Sequence, residues 1–301
     1  MNLFYIDRAS GQKKVEKIYG KVFIKLLYGT GWVNRFFSFL LLPLFSNLTI
    51  LSKWYGWLQK SRYSRRKIKP FIKKFHINSS EFLDPVSSFQ SFNDFFTRRL
   101  KPESRLIAPG NHVAILPADG RYLIYKNLKK DEGFFVKGRK WYLETLLCQP
   151  ALVKKYSEGS MVVIRLAPVD YHRFHFPLRC IPGKAHAIPG KLFSVNPLAL
   201  KKKGGVIFIE NKRMITSLKT NDFGELLFIE IGATYVGSIH QTFIPGKMYE
   251  KGREKGYFSY GGSSIILLFE PHRIQFDHDL LQASSEGLET LGHLGQSLGR
   301  C

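Results

Sequence analysis

The sequence predicts an α+β fold, in which a basic and aromatic helical segment over residues 1–80 is followed by a β-rich domain over residues 81–301. Two observations predict this division. Residues 1–80 carry +14 of the formal net charge of +23, from 16 Lys or Arg against only Asp7 and Glu16. From about residue 108 onward, short apolar runs alternate with Gly, Pro and Asn, which is typical of short strands joined by turns.

The N-terminal segment has the composition of a chain that lies on a membrane surface. A basic amphipathic stretch at residues 21–28 precedes an uncharged run at 36–52 that is interrupted by a proline. A spanning helix needs about 20 mostly apolar residues, so we expect helices in the interface. Trp54, Tyr55 and Trp57 then precede a basic cluster, which suits the headgroup region. The alternatives are a helical subdomain with a solvated basic face and a nucleic-acid-binding module, but phosphate binding gains nothing from an uncharged run.

The β-rich domain is predicted from six short apolar runs. They are Val113–Leu116, Phe134–Val136, Met161–Leu166, Val206–Ile209, Leu226–Ile231 and Ile265–Phe269. Short helices are expected within Ser91–Lys101 and Lys140–Leu147, and no function is assigned to the polar tail Asp277–Cys301.

The three cysteines, Cys148, Cys180 and Cys301, are odd in number and widely spaced. This pattern predicts neither a disulfide framework nor a zinc site, and it favours a reducing compartment. The first residues are polar and charged, so we expect no secretory signal peptide.

One stretch, Tyr260–Glu270, carries a candidate nucleophile. Two glycines and two serines lead directly into an apolar run that is predicted to be a buried strand. Ser263 follows the carbonyl of Gly262, and its hydroxyl becomes a nucleophile only when a base activates it. The structural alternative is a glycine turn that leads into a strand.

A candidate acid and two candidate bases precede this serine in the chain. Asp119 stands in a Pro-Ala-Asp-Gly turn, and His172 and His175 stand three residues apart in Asp170–Pro177. If that piece is extended, the two imidazoles point to opposite faces, and if it turns they converge. The alternatives are ordinary turn chemistry for the aspartate, and structural histidines or a metal pair for the others. Since no third ligand stands at suitable spacing, we expect no metal.

Asp119, one of these histidines and Ser263 are the parts of a nucleophilic triad. A membrane-associated serine hydrolase that uses Asp119, His175 and Ser263 without self-cleavage is therefore one hypothesis. The Gly-x-Ser-x-Gly elbow of many hydrolases is absent, because Ile265 stands where the last glycine would be.

The chain also resembles the pyruvoyl-dependent phosphatidylserine decarboxylase proenzyme family over about residues 85–271. The matching pieces, in chain order, are Phe95-Phe96 with Arg98, Leu100 and Lys101, then Pro117–Gly120, Tyr171–Pro177, Ser194–Pro197, Glu210–Arg213, Ile231–Ala233, Val236–Ile239, Lys255-Gly256 and Gly262–Ser264. The Gly-Ser-Ser form departs from the commoner Gly-Ser-Thr of the family, but a hydroxyl remains at position 264.

The resemblance implies that residues 81–301 form a β-rich catalytic domain that cleaves itself between Gly262 and Ser263. Ser263 would be the nucleophile, His175 its general base, and Asp119 the group that orients the imidazole. The products would be a long chain, 1–262, and a short chain, 263–301, headed by a pyruvoyl group derived from Ser263.

The pyruvoyl group would form a Schiff base with phosphatidylserine and accept the electrons released with CO₂, giving phosphatidylethanolamine for phospholipid biosynthesis. His172 would return the proton. Assigning the two histidines to these separate roles follows the resemblance alone.

The implied partners are phosphatidylserine in an anionic membrane and the two cleaved chains, which form a heterodimer, with a higher oligomer left open and nucleic acid excluded. The implied location is peripheral, on the cytoplasmic face of a membrane. The charge analysis reaches a membrane surface by a separate route.

Overall fold

The structure is a computed structural model that describes residues 4–16, 56–128, 134–136, 139–141, 143–195, 200, 206–233, 238–261 and 263–301. The amphipathic stretch 21–28 and the uncharged run 36–52 lie outside the described residues, as do Trp54 and Tyr55. The interfacial helices expected there remain a prediction.

The described chain consists of short strands and short helices. The strands are β1 (Phe4–Asp7), β2 (Lys13–Val15), β3 (Val113–Ile115), β4 (Gly120–Tyr125), β5 (Phe134–Val136), β6 (Arg139–Trp141), β7 (Ser160–Leu166), β8 (Arg173–His175), β9 (Ile181–Pro182), β10 (His186–Ile188), β11 (Arg213–Lys219), β12 (Glu225–Gly232), β13 (Ile239–Gln241), β14 (Glu254–Phe258), β15 (Ser263–Phe269), β16 (Gln275–Phe276), β17 (Glu289–Gly292) and β18 (Ser297–Arg300). The α-helices are α1 (Ile68–Phe75), α2 (Phe92–Phe96), α3 (Leu143–Leu147), α4 (Pro150–Tyr156), α5 (Val206–Glu210) and α6 (His278–Ser285), and 3₁₀ turns span Arg62–Lys67, Ser79–Glu81, Val86–Ser88 and Pro102–Ser104.

A large mixed sheet organises the described part of the molecule. Its strand order is β10-β11-β12-β15-β7-β4-β17-β1-β2, with β9 paired to β11. The pairings are antiparallel except for that of β1 with β17. Two three-stranded sheets, β13-β14-β8 and β16-β18-β3, accompany it, as does the hairpin β5-β6. Because β15 lies between β12 and β7, the strand that begins at Ser263 is central.

The main sheet is buried on both faces. In β15, Ile266 and Leu268 belong to one hydrophobic cluster, together with residues of α3, α4 and α5. Ile265, Leu267 and Phe269 belong to a second cluster, together with residues of β8, β14, β18 and α6. Successive residues of a strand point to opposite faces, so an uninterrupted apolar run is what a strand covered on both sides requires.

The mixed, strand-rich architecture confirms the predicted fold class at that level. Five of the six apolar runs lie in strands, namely in β3, β5, β7, β12 and β15. The prediction of a strand at Val206–Ile209 is wrong, since these residues form α5 and bury Ile207 and Phe208 in the first cluster. A run of four apolar residues fits one turn of buried helix as well as a strand, and periodicity cannot separate the two.

The N-terminal segment is not purely helical, which corrects the sequence-based expectation. Phe4–Asp7 and Lys13–Val15 form two strands of the main sheet, and Tyr5 of β1 is opposite Glu289 of β17. These residues therefore pack with the β-rich domain, although they precede the predicted boundary at residue 80. None of the helices in the described ranges is long and apolar enough to span a membrane.

The later part of the N-terminal segment packs against α2. A third hydrophobic cluster joins Ile68 and Phe71 of α1 to Phe92, Phe95 and other aromatic residues that follow. The Phe71 ring meets the Phe92 and Phe95 rings edge-on, at centroid distances of 5.2 and 5.9 Å. Edge-to-face contacts of this kind add specific geometry to the burial of apolar area.

A buried ion pair links the main sheet to the sheet that carries β8. Lys255 of β14 and Glu230 of β12 are both fully buried, and the Lys255 ammonium donates hydrogen bonds to Glu230 and, at 2.9 Å, to Gln241 Oε1. The ammonium also lies 4.8 Å from the ring centroids of Phe228 and Phe243. The pair therefore fixes the position of one sheet relative to the other.

Replacing Lys255 with Met should destabilise the protein by about 3–5 kcal/mol, because it leaves the Glu230 carboxylate buried without its counter-ion. Urea unfolding followed by circular dichroism measures the change. Lys247→Met, at an exposed position, is the matched control and should change stability by less than about 0.5 kcal/mol. Equal unfolding midpoints for the two variants would contradict the role given to the pair.

Candidate active site

The strands of the main sheet bring the predicted site residues to one edge. Ser263, the first residue of β15, is paired with Leu166 at the end of β7 and with Gly232 at the end of β12. Arg121 of β4 is paired with Arg165, which places Gly120 beside Leu166. With strands about 4.8 Å apart, the backbone next to Asp119 lies about 10 Å from that of Ser263.

The Ser263 hydroxyl is buried and has no hydrogen-bond partner among the described residues. The Ser264 hydroxyl is also buried, and it too has no hydrogen-bond partner among the described residues. An unsatisfied buried hydroxyl costs about 1–3 kcal/mol, so its presence calls for an explanation. At the end of a strand that is held on both sides, it is a fixed group with its proton and lone pairs uncommitted.

His172 and His175 lie beside this edge, in a piece of chain that is extended. The His172 ring packs on the Phe96 ring at 3.8 Å, whereas the His175 ring lies 5.8 Å from Tyr171. The backbone carbonyl of His172 accepts a hydrogen bond from Phe258 N at 3.0 Å. The two imidazoles thus contact different rings, as expected if this piece of chain is extended and the two side chains point to opposite faces.

Both imidazoles are prepared to accept a proton at Nε2. His172 Nδ1 lies 2.9 Å from the carbonyl oxygen of Asp170, and His175 Nδ1 lies 3.0 Å from that of Gly252. A carbonyl only accepts, so each Nδ1 carries the hydrogen and each Nε2 keeps its lone pair. Both Nε2 atoms are buried, with no hydrogen-bond partner among the described residues.

Burial keeps both rings neutral. It lowers the pKa of His172 to about 3, and it also lowers the pKa of His175. The negative charges of Glu254 and Asp119 oppose the effect of burial on the His175 pKa. Each neutral imidazole has an Nε2 lone pair that can accept a proton, and burial makes it a weaker base than a free imidazole unless a negative charge lies close to it.

Asp119 makes a different set of contacts from the one expected. Arg105 donates two hydrogen bonds to the Asp119 carboxylate, in which Nε lies 3.0 Å from Oδ1 and Nη2 lies 2.6 Å from Oδ2. Leu294 N donates to Oδ1 at 2.8 Å, and His293 Nδ1 lies 3.4 Å from Oδ2, an ion-pair distance rather than a strong hydrogen bond. No hydrogen bond joins Asp119 to His175 in this structure.

The surroundings of Asp119 hold it in the charged form. Burial raises its pKa, but the contacts with His293 and Arg105 outweigh burial and place the pKa well below its usual range. In turn, the contact with Asp119 raises the pKa of His293. The site thus contains a permanent negative charge whose field reaches His175.

A second group of buried charges supports His172. The carbonyl of Asp170 holds His172 Nδ1, and the Asp170 carboxylate pairs with Arg121 and accepts from Ala167 N at 2.6 Å. Arg98, whose pKa burial lowers to about 10, donates at 3.3 Å to the same Asp170 carbonyl. The loop that carries His172 is therefore held from both sides.

Sequence reasoning did not find Arg105 or His293. Arg105 stands 14 residues before Asp119 without any motif between them, and His293 lies in the tail to which no function was assigned. The contact of His293 with Asp119 depends on how β17 pairs with β4, which places Gly292 opposite Gly120. Only that register could have pointed to His293.

Among the described residues, no group of three His, Cys, Asp or Glu side chains is arranged to hold a metal ion. The groups that could act chemically are the Ser263 hydroxyl, the two imidazoles and the charged Asp119.

Comparison with known proteins places this chain in one family. The profile of the family "Phosphatidylserine decarboxylase" matches residues 92–299. The phosphatidylserine decarboxylase proenzyme of Chlamydia pneumoniae is 48% identical over 296 residues, covering 98% of this chain and 96% of the relative. The proenzyme of Chlamydia felis is 49% identical over 298 residues, covering 99% and 98%. That of Chlamydia trachomatis serovar D is 43% identical over 298 residues, covering 99% and 97%. The chain therefore belongs to the phosphatidylserine decarboxylase family.

Proposed function

We propose that this protein cleaves itself between Gly262 and Ser263 and then decarboxylates phosphatidylserine to phosphatidylethanolamine. The observation that carries the proposal is the buried Ser263 hydroxyl, which has no hydrogen-bond partner among the described residues and lies at the sheet edge near Asp119 and the two histidines. Membership of the decarboxylase family disfavours the hydrolase alternative with the same residues.

In the proposed self-cleavage, His175 Nε2 takes the proton of the Ser263 hydroxyl, whose oxygen attacks the Gly262 carbonyl carbon. The proton passes to the amide nitrogen of Ser263 as the carbon–nitrogen bond breaks, and an ester joins the two residues. A base then removes the Ser263 α-proton, and the ester oxygen leaves with Gly262 as its carboxylate. The resulting dehydroalanine takes up water and releases ammonia to become the pyruvoyl group.

Asp119 supports this step through its charge. The imidazole of His175 becomes positive when it takes the proton, and a fixed negative charge nearby stabilises that state. Arg105 holds the carboxylate in place, which keeps the charge at one position during the reaction. His175 Nδ1 donates to the Gly252 carbonyl and not to Asp119, so Asp119 acts on His175 through its charge.

The residues around Ser263 suit a pyruvoyl group. Position 263 is buried and begins a strand that is paired on both sides, and the buried Nε2 atoms of His172 and His175 have no hydrogen-bond partner among the described residues. The pyruvoyl carbonyl supplies the electron sink for decarboxylation, which no side chain offers.

His172 is suited to carry the proton of the second reaction. In the empty site burial keeps its Nε2 unprotonated. When the lipid binds, the negative charges of its carboxylate and phosphate raise the pKa of the ring, and Nε2 takes up a proton. The same atom then returns that proton to the α-carbon after CO₂ leaves. This sequence explains how a ring that is neutral at rest acts as an acid.

The two chains formed by the cut stay together as a heterodimer. The short chain contributes β15 to the centre of the main sheet, β17 to its interior and β18 to a smaller sheet. The fully buried residues of β15 lie against both neighbours, so release of the short chain would expose the whole core.

The basic residues near α1 provide a peripheral membrane contact. Trp57 and Tyr63 are 64% and 72% exposed, and Arg66, Lys69 and Lys73 are exposed at positions three and four residues apart. Aromatic side chains beside basic ones bind the headgroup region of an anionic leaflet. The cytoplasmic face, where anionic lipids are found, is the location that we infer.

Ser263→Ala should leave a single intact chain without decarboxylase activity, because both the nucleophile and the source of the pyruvoyl group are lost. Denaturing mass spectrometry of wild type should show two species split at Gly262–Ser263. Ser264→Ala is the neighbouring control and should still yield two chains. Two chains from Ser263→Ala would refute the assignment of the nucleophile.

The two histidines should separate in function. His175→Ala and Asp119→Ala should block or strongly slow self-cleavage, because they remove the base and the charge that supports it. His172→Ala should cleave normally but turn over phosphatidylserine about 10²–10⁴-fold more slowly. Time courses of cleavage, together with activity per cleaved chain, measure both steps. An uncut His172→Ala would mean that the two roles are shared or exchanged.

Binding to anionic vesicles should depend on the exposed basic face. Changing Arg66, Lys69 and Lys73 to Gln should weaken binding by about 3 kcal/mol, at about 1 kcal/mol for each charge. A matched control changes Lys126, Lys154 and Lys184, which are exposed elsewhere, by the same total charge. Co-sedimentation with phosphatidylserine vesicles measures both triple variants. If both triple variants lose the same amount of vesicle binding, the effect is one of net charge, and a specific membrane-binding face is refuted.

A further inference from the structure

Helix α2 (Phe92–Phe96) lies between the basic N-terminal residues and the active site. On one side, Phe92 N donates a hydrogen bond to Ser64 Oγ at 2.8 Å, and the Phe71 ring packs on Phe92. On the other side, the Phe96 ring packs on His172. This short helix therefore touches both the segment proposed to bind the membrane and a proposed catalytic residue.

The same helix also holds the chain just before the cleavage site. Tyr260 N donates to Asn93 Oδ1 at 2.8 Å. The rings of Phe92 and Phe96 lie 5.3 and 5.2 Å from the Tyr260 ring, both edge-on. Tyr260 precedes Ser263 by three residues, and the two residues between them are glycines.

The chemistry proposed for this site requires that both ends of the cleaved segment are held. Ser263 is fixed on its C-terminal side because it is paired with Leu166 and Gly232. Gly261 and Gly262 can adopt more backbone conformations than any other pair of residues, so they transmit little constraint. Attack needs the reacting atoms about 3–3.5 Å apart and aligned, and an unheld Gly-Gly segment would reach that geometry only a small part of the time.

We propose that Asn93 is a positioning residue for self-cleavage, which fixes the segment before Gly262 by accepting the hydrogen bond of Tyr260 N. The inference rests on the proposed function, since it concerns the cut between Gly262 and Ser263. Asn93 acts through its hydrogen bond with Tyr260 N.

The bond makes a specific demand on the side chain at position 93. The hydrogen bond with Tyr260 N needs an acceptor oxygen, and the side chain must carry that oxygen one methylene away from the backbone of residue 93. Asp offers the same oxygen at the same reach, and position 93 is half-buried in the first turn of α2, where a negative charge is tolerated. Leu fills similar space without an acceptor, and Gln carries the acceptor one methylene too far.

The experiment follows cleavage of freshly synthesised chains over time by denaturing mass spectrometry. Asn93→Leu should slow cleavage at least 10-fold, Asn93→Gln should also slow it, and Asn93→Asp should remain within about 3-fold of wild type, where the bond is kept. Asn78→Leu is the matched control, because Asn78 Oδ1 accepts a similar bond from Ser80 N at an exposed turn. It should cleave at the wild-type rate.

Folding is checked separately by placing each Asn93 substitution in the Ser263→Ala chain and measuring thermal unfolding. If Asn93→Leu does not fold, the comparison of Asn93→Asp with Asn93→Gln decides, since both keep a polar side chain. Rapid cleavage by Asn93→Leu, or cleavage as slow in a folded Asn93→Asp as in Asn93→Gln, would overturn the positioning role. A wild-type chain that stays intact would instead refute the proposed function.

Discussion

The pairing of β15 with a neighbour on each side is the constraint on which the site depends. Because β15 is central and buried on both faces, its first residue, Ser263, cannot move relative to the ends of β7 and β12. The loop after β7 carries His172, the strand β8 that follows it ends at His175, and the turn before β4 carries Asp119. A single sheet edge thus collects residues that are far apart in sequence, without any one loop having to bring them together.

Charge burial is the second condition that shapes the site. Arg121 and Arg165 lie side by side on β4 and β7 and are both buried, so their repulsion must be offset. Glu16, just after β2, meets both of them, while Asp170 pairs with Arg121 and Glu289 with Arg165. Buried ion pairs rarely increase stability over apolar replacements, but they favour one arrangement over others. Here the arrangement includes the Asp170 carbonyl that holds His172, which makes the N-terminal strands part of the catalytic fold.

The sequence was informative where the signal is local. The glycines, serines and apolar run at 260–269 predicted both a buried strand and a nucleophile at its start, and the strand is present. The sequence was uninformative where contacts between residues far apart in the chain decide the structure. β1 is four residues long and lies in a segment dominated by positive charge, so nothing marked it as part of a sheet. The hydrogen bonds from Arg105 to Asp119 likewise depend on the tertiary structure. The prediction of a strand at Val206–Ile209 was wrong because four apolar residues fit a helix and a strand equally well.

The position of α2 gives a physical reason for building a lipid enzyme in this way. In the proposed reaction a phospholipid headgroup must leave the bilayer surface to reach the buried position 263, so the proposed membrane contact and position 263 must keep a fixed separation. Phe71 of α1 packs on α2, and α2 packs on both Tyr260 and His172, so aromatic contacts rather than a flexible linker connect the exposed basic residues near α1 to these two residues. Because closely packed side chains deform little, the position of this helix on the proposed membrane surface would also set the position of the proposed catalytic groups. The contacts that prepare the chain for its own cleavage would then also align the mature site with its substrate.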